Sequence, residues 1–323
     1  AVHDGGIPSR RAQVHQCLNF ASPTARLPMI DKLAKAARDP GLAWAWAYSR
    51  WRPQRAVTRS VALARRAGLR QPHFILSFDC DTDADSAVVG AMHARLRSGG
   101  LSPLYAVAGE VLAASADDYR AIAQDGAVFL NHGFRRHAEI DPASGDVAST
   151  YFYGAVSRAD WQDDIRRGDE AIGDILDQRP NGFRTPHFAS FESPRDLVAL
   201  WQFLSELGYR YSSSTRPLFG LRYGPFFTRA GIIEFPVSGC LSEPGQILDS
   251  WGLIRGGDGT SRRLLDELRA YLASMEADQP GLLNIYLDPA DVAADEDVLA
   301  MLTRFAPYSA GDFASLLGEA RHG

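Results

Sequence analysis

From Pro72 onward, short apolar segments alternate with segments of helical periodicity, and this alternation constrains the fold more than any other feature of the chain. Ser157 opens a capping box with Asp160, and Ser193 precedes a proline, so each is expected to begin a helix. Repeated βα units over about 250 residues predict an α/β fold with a parallel sheet, either closed as a barrel or doubly wound. Strands are predicted at residues 74–78, 103–107, 127–130, 209–213, 231–236 and 282–287.

Polar side chains follow several of these apolar segments, at the points where the strands are predicted to end. In a (β/α) barrel the loops after all strands share one rim, so we expect these side chains to meet in one cleft. Two imidazoles and one carboxylate are a common ligand set for a catalytic divalent ion, and a second carboxylate beside them can act as a base. The residues are Asp79, Asp81, His132, His137, Arg184 and Asp288, with His187 shortly after Arg184.

The composition is that of ordinary globular material with enough apolar residues for a large core. The chain has 323 residues, of which 46% are hydrophobic and 23% are charged, and its formal net charge is -5. Its three cysteines lie far apart, which predicts neither a disulfide framework nor a cysteine metal site. We find no run of roughly 18 apolar residues and no basic-then-apolar N-terminal segment. These patterns favour a cytoplasmic location.

One segment has a charge pattern of its own. Between Asp39 and Asp79 there is no acidic residue but there are seven arginines. Trp44, Tyr48 and Trp51 are spaced to share one face of a helix. This helix either packs its aromatic side chains on the main domain, or it provides a peripheral site for anionic lipid or a phosphate-bearing, lipid-linked substrate. Nucleic acid is not an expected partner, because no other segment is comparably basic.

Three motifs, taken in order, resemble those of the polysaccharide deacetylase family, also called the NodB-homology or carbohydrate esterase family 4 domain. They are the pair Asp79 and Asp81, the histidines His132 and His137, and the Arg-x-Pro motif that begins at Arg184. The resemblance extends over residues 74–288. It implies a distorted (β/α) barrel and a metal-dependent hydrolase that removes an N-acetyl group from an amino sugar. Residues 72–323 would form this barrel domain, and residues 1–71 an N-terminal helical, Trp- and Arg-rich extension.

The resemblance also implies a role for each motif residue. Asp79 would be the general base, and Arg184 would orient it. Asp81, His132 and His137 would bind a divalent metal ion, with zinc preferred over cobalt, nickel or manganese. A carbohydrate would be the substrate, and the lack of an export signal favours a biosynthetic glycan or a lipid-linked sugar at the inner face of the membrane. The oligomeric state is left open.

Two departures from the family pattern affect the expected chemistry. The histidines are five residues apart instead of four, a rotation of about 140° on a regular helix, so they can share an ion only if Gly133 helps form an irregular turn. The histidine that serves as general acid in the family is replaced by Asp288. The acid is then Asp288 with a raised pKa, or His187, or it is missing. The alternatives in function are hydrolysis of a small non-sugar amide and glycan binding without catalysis.

Overall fold

The structure is a computed structural model that describes residues 39–141, 147–188, 190–191 and 193–322. Most of the predicted extension, residues 1–38, lies outside the described residues. The described residues form one compact unit built on a mixed α/β arrangement. The division at residue 71 stays a prediction, although the helices over residues 40–66 belong to this unit.

The central sheet has eight strands and is mostly parallel, as the alternating sequence pattern predicts. Its order is β10-β1-β2-β3-β6-β7-β9-β8, and only β8 runs antiparallel to its neighbour. Strands β4 and β5 form a separate hairpin. The strands are β1 Pro72–Cys80, β2 Leu104–Val107, β3 Val128–Asn131, β4 Ala138–Ile140, β5 Val147–Ser149, β6 Gly182–Arg184, β7 Tyr211–Ser213, β8 Phe227–Arg229, β9 Ile232–Glu234 and β10 Gly281–Leu287.

Helices follow most strands and begin where the sequence supplies caps. Ser157 and Ser193 each accept a hydrogen bond from a backbone N–H of the first turn, in agreement with the prediction. The helices are α1 Pro40–Trp51, α2 Pro53–Arg66, α3 Asp83–Ser98, α4 Gly109–Ala114, α5 Ala116–Gln124, α6 Arg158–Leu176, α7 Pro194–Glu206, α8 Pro217–Tyr223, α9 Arg262–Glu276, α10 Pro289–Val292, α11 Glu296–Thr303 and α12 Phe313–His322. None in the described part is both long and apolar enough to cross a membrane.

The segment after β9 links the sheet back to β10. Ser238 donates its backbone N–H to the Asn284 carbonyl at 2.8 Å and accepts the Asn284 N–H on its hydroxyl at 2.9 Å. The Asn284 side chain, fully buried inside, donates to the Pro236 carbonyl at 3.1 Å. These bonds complete a distorted (β/α) barrel, with the antiparallel β8 outside the ring.

Strand β1 lies at the centre of the core, and all nine of its residues are buried. It pairs with β2 on one side and β10 on the other, so both of its faces need apolar cover. Phe74 and Phe78 are completely buried, and Phe74 packs on Phe305 with ring centroids 4.7 Å apart. Burial of each such ring contributes about 1.5 to 3 kcal/mol. The strand that carries Asp79 is therefore fixed rigidly.

Candidate active site

The two acids lie where β1 gives way to α3. Asp79 is near the end of the strand, and Asp81 is the first residue after it. Asp85, in the first turn of α3, accepts hydrogen bonds from the backbone N–H groups of Asp81 at 3.2 Å and Thr82 at 3.0 Å. Its other carboxylate oxygen accepts from the Ala290 N–H at 3.0 Å. Asp85 therefore holds the ends of β1 and β10 together around the site.

The two histidines lie on a loop after β3, which resolves their spacing of five residues. Gly133 has a φ of +78°, and its N–H donates to the Asn131 side chain at 2.8 Å. Asp164 accepts the N–H groups of the next two residues, at 3.1 Å and 3.0 Å. The chain thus reverses tightly enough for His132 and His137 to face each other, with ring centroids 4.6 Å apart.

This loop gives a prediction for stability. Gly133→Ala is expected to destabilise the chain by about 2 to 4 kcal/mol, because the residue has a positive φ and its new Cβ would collide with the Tyr153 hydroxyl and the Asp164 carboxylate. Urea unfolding measures the effect. The control is Gly173→Ala in α6, where the added Cβ meets open space and should stabilise by up to about 1 kcal/mol. Equal stability of the two variants would contradict the strain at Gly133.

Three side chains converge on one point. The Asp81 Oδ1 atom lies 2.8 Å from His137 Nε2 and 3.3 Å from His132 Nε2. The three possible ligand atoms all lie within 4.8 Å of one another. Both histidines are completely buried. This is a ligand set of the composition that a catalytic divalent ion uses.

The hydrogen bonds of the two rings show what this cluster accommodates. His132 Nδ1 lies 2.8 Å from the Arg184 carbonyl, and His137 Nδ1 lies 3.3 Å from the Arg135 carbonyl. A carbonyl only accepts, so each Nδ1 donates a proton to its carbonyl and each Nε2 is turned toward Asp81. His132 Nε2 is buried and has no hydrogen-bond partner. Two imidazole nitrogens turned toward one carboxylate, one of them buried without a partner, form a donor set that fits a metal ion.

The two neighbouring histidines favour the ionised form of Asp81. Burial acts to raise its pKa, but the nearby His137 and His132 hold the pKa well below its ordinary value. For His137, burial acts to lower the pKa, but the Asp81 carboxylate raises it overall. Asp81 is therefore ionised over the neutral pH range, as a metal ligand must be.

Asp79 lies beside the cluster and contacts Arg184. The residue is 3% exposed, with Oδ1 3.4 Å from Arg184 Nη1 and Oδ2 3.8 Å from His132 Nε2. Burial raises the pKa of Asp79, and the guanidinium of Arg184 opposes that rise. The second guanidinium nitrogen of Arg184 donates to the Ser77 hydroxyl at 2.9 Å. The structure thus brings together a carboxylate, its cationic partner and the cluster.

Aromatic rings hold Arg184 in position. Its guanidinium lies 5.6 Å from the Phe188 ring centroid and 5.1 Å from the Tyr286 ring centroid. Tyr286 donates to Asp249 Oδ2 at 2.6 Å, and burial raises the pKa of Asp249 to about 6. Sequence reasoning missed Tyr286, although polar residues at alternate positions of the apolar strand β10 were a signal that one face of it lines a site.

Asp288 follows β10 and lies in a buried, hydrogen-bonded position. It is 5% exposed, accepts the Ser250 hydroxyl on Oδ2 at 2.9 Å, and donates its own N–H to that hydroxyl at 2.8 Å. Burial, together with the negative charges of Asp81 and Asp85, raises the pKa of Asp288 well above its ordinary value. The raised pKa favours the protonated form of Asp288, in which the carboxyl can donate a proton.

His187 lies next to the cluster but outside the group of converging ligand atoms. Its ring packs edge-on against His137 at 5.3 Å and on Phe152 at 4.5 Å. Its Nε2 lies 2.8 Å from the Thr150 carbonyl, so this nitrogen carries a proton. Burial and the neighbouring His137 lower the pKa of His187 to about 4. The ring is therefore neutral at pH 7 and is a weaker candidate acid than Asp288.

Solved structures share this arrangement of strands and helices. A Mycobacterium smegmatis protein assigned to the polysaccharide deacetylases superposes with a TM-score of 0.53 at 17% identity, covering 79% of this chain and 90% of that chain. The chain has the polysaccharide deacetylase fold. Puue allantoinase superposes with a TM-score of 0.52 at 12% identity, covering 78% of this chain and 89% of that chain. At these identities the likeness concerns the fold alone.

A third structure is more distant from this deacetylase-type barrel. The family 4 carbohydrate esterase from Streptomyces lividans, solved in complex with acetate, has a TM-score of 0.44 at 16% identity, covering 78% of this chain and 91% of that chain. No protein-family model matches the chain, and no curated protein matches it.

Proposed function

We propose that this chain is a metal-dependent hydrolase that removes an N-acetyl group from an amino sugar. The observation that carries the proposal is the buried His132 Nε2, which has no partner and lies 3.3 Å from Asp81, beside His137 and the Asp79–Arg184 pair. Asp81, His132 and His137 would hold the ion. When bound, a divalent ion such as zinc, cobalt, nickel or manganese polarises a carbonyl and acidifies water.

The remaining steps fall to side chains of the chain itself. Asp79 takes a proton from the attacking water, and Arg184 holds its carboxylate in place. Asp288 donates its proton to the amine nitrogen as the C–N bond breaks. Water is thereby added across the amide, which gives acetate and a free amino sugar.

The choice of general acid can be tested by pH dependence. Asp288→Asn is expected to lower kcat about 100-fold, because the amide cannot donate the proton that the raised pKa of Asp288 keeps available. Wild-type activity should fall as the pH rises through that pKa, since the ionised form has no proton to give. This alkaline loss should be absent in the variant. The measurement is kcat for acetate release between pH 5 and 10.

The matched comparison for that test is His187→Asn, which removes the other candidate acid. Because His187 is already neutral at pH 7 and bonded to Thr150, its replacement should leave the alkaline loss in place. An alkaline loss that disappears in His187→Asn and persists in Asp288→Asn would assign the acid to His187 instead.

The proposed substrate is an amino sugar of a biosynthetic glycan or a lipid-linked sugar. The test is acetate release by the zinc-loaded chain from N-acetylhexosamine oligomers and from a lipid-linked N-acetylhexosamine. Small amides and cyclic ureides belong in the same panel, because Puue allantoinase has a similar fold.

A second candidate function is glycan binding without catalysis, which applies if Asp288, at the position where the family has a histidine, does not act as the general acid. Elemental analysis and glycan binding, measured beside acetate release, separate the two. A chain that binds metal and releases acetate supports the hydrolase. A chain that binds glycan but binds no metal and releases no acetate would refute the hydrolase and support the second candidate.

A further inference from the structure

Helix α1 exposes three tryptophans. Trp44 is 46% exposed, Trp46 is 56% exposed and Trp51 is 75% exposed. With about 100° between successive residues of a helix, the buried Ala45 and Ser49 lie on one side of α1, Trp44 and Trp51 lie on the side away from it, and Trp46 lies on the flank, about 160° from Trp44. Half of the six large hydrophobic side chains exposed on the described residues belong to this one helix. So dense a group of exposed apolar side chains is typical of an interaction surface.

Six arginines follow or lie between these tryptophans in the same segment of the chain, and all six are exposed. Within the described residues none of the six forms an ion pair, and the chain carries no acid between Asp39 and Asp79 to neutralise them. Arg59, the seventh arginine of the segment, lies over the Trp44 ring at 5.0 Å and links α2 to the indoles of α1. We call the following residues the Trp/Arg surface: Trp44, Trp46, Trp51, Arg50, Arg52, Arg55, Arg65, Arg66 and Arg70.

The Trp/Arg surface is held rigidly by the fold. Arg59 donates from Nε to the Leu221 carbonyl in α8 at 2.8 Å, and Ala45 and Ala56 pack in a buried cluster with Leu221. Asp39 pairs with Arg222, also in α8. Of the aromatic residues of α1, Tyr48 packs against this cluster, whereas Trp46 and Trp51 are more than half exposed. A partner would thus meet an already ordered surface, at a low entropic cost.

We propose that the Trp/Arg surface docks on an anionic phospholipid bilayer. Indole rings have an apolar body and a polar N–H, and they favour the headgroup region of a membrane. Arginines close to anionic lipid each contribute a factor of about five in affinity. Residues 1–38 carry six basic and two acidic side chains, so their charge does not complement the arginines and they are a poor alternative cover. The proposal does not depend on hydrolytic activity.

Helix α2 lies beside the first residues of two central strands. A cavity of about 130 Å³ is lined both by α2 and by Pro72 and Gly281, the first residues of β1 and β10. Helix α2 therefore lies toward the amino-terminal ends of these strands, whereas the candidate active site lies at their carboxyl-terminal ends.

Vesicle sedimentation of the full chain tests the proposal. We expect binding to phosphatidylcholine vesicles that contain phosphatidylglycerol and little binding to phosphatidylcholine alone. Arg55→Gln/Arg66→Gln should weaken binding about 30-fold, from two arginines at a factor of about five each. Trp46→Ala/Trp51→Ala should weaken binding at every salt concentration, whereas the arginine contribution should decline as salt rises.

Matched variants identify the surface responsible. Arg179→Gln/Arg262→Gln removes two exposed arginines elsewhere, and Val128→Ala/Val198→Ala trims two exposed apolar side chains, so neither should change vesicle binding. Hydrolysis of a soluble substrate should be the same in all four double variants. Equal binding to both kinds of vesicle would overturn the proposal. So would self-association lost in Trp46→Ala/Trp51→Ala, or tighter binding to an oligonucleotide than to anionic vesicles.

Discussion

Asp79→Asn is expected to reduce acetate release about 1,000-fold while the bound metal content stays unchanged. The asparagine keeps the shape of the side chain but cannot take a proton from water, and general base catalysis contributes about 100- to 10,000-fold. Asp79 is not one of the three converging ligands, and its nearest histidine nitrogen is 3.8 Å away. The measurements are kcat/KM for an N-acetylated amino sugar and elemental analysis of the purified variant.

The control for this prediction is Asp83→Asn. Asp83 lies four residues further along, is exposed and pairs with Arg136, so its replacement should leave acetate release nearly unchanged. Full activity in Asp79→Asn would remove Asp79 from the mechanism. Loss of metal from the variant would show that Asp79 is a ligand and that the separate roles proposed for Asp79 and Asp81 are wrong.

His132→Ala is expected to abolish both hydrolysis and the stabilisation of the fold by zinc. A ligand that binds only the folded chain stabilises it by about 4 kcal/mol at 1,000 times its dissociation constant, so wild type should show a clear rise in Tm on addition of zinc. Removal of one of three ligands should eliminate most of this rise. Thermal unfolding with and without zinc measures it independently of activity.

His187→Asn is the control in the same experiment, because it changes a neighbour of the proposed ligands that is not itself a proposed ligand. The His187 ring touches that of His137, with centroids 5.3 Å apart, but it lies outside the group of converging ligand atoms. The zinc-dependent rise in Tm should therefore persist. A rise that disappears in His187→Asn and survives in His132→Ala would replace the proposed ligand set.

Local patterns explain how much of the fold the sequence could predict. The six predicted strands and the capped helices depend on residues within a few positions of one another, so they could be predicted and differ only at their ends. The three-residue strands β4, β5, β6 and β8 are too short to give such a pattern and were not among the predicted strands. The loop at Gly133 was predicted as the condition for His132 and His137 to meet, because a regular helix would turn their rings apart. Its actual support from Asp164 depends on α6, which lies far along the chain.

The missed part of the site depends on register between distant strands. Parallel pairing sets Ser77 of β1 level with Tyr286 of β10, and this places a hydroxyl and an aromatic ring around Arg184. No spacing within the sequence encodes that alignment. The exposure of the indoles on α1 was equally inaccessible, because the periodicity of Trp44, Tyr48 and Trp51 marks a face of the helix but not which face meets α8.

Arg184 contacts the site through two chemically independent parts. Its carbonyl oxygen accepts from His132 Nδ1 at 2.8 Å, whereas its guanidinium holds Asp79 at 3.4 Å. Every amino acid has a carbonyl, so any residue at this position that preserves the strand would still fix the tautomer of His132. A single codon change at position 184 could therefore release the base while the ion stays bound. Such a change would offer evolution a one-step route from hydrolase to metal-retaining sugar receptor.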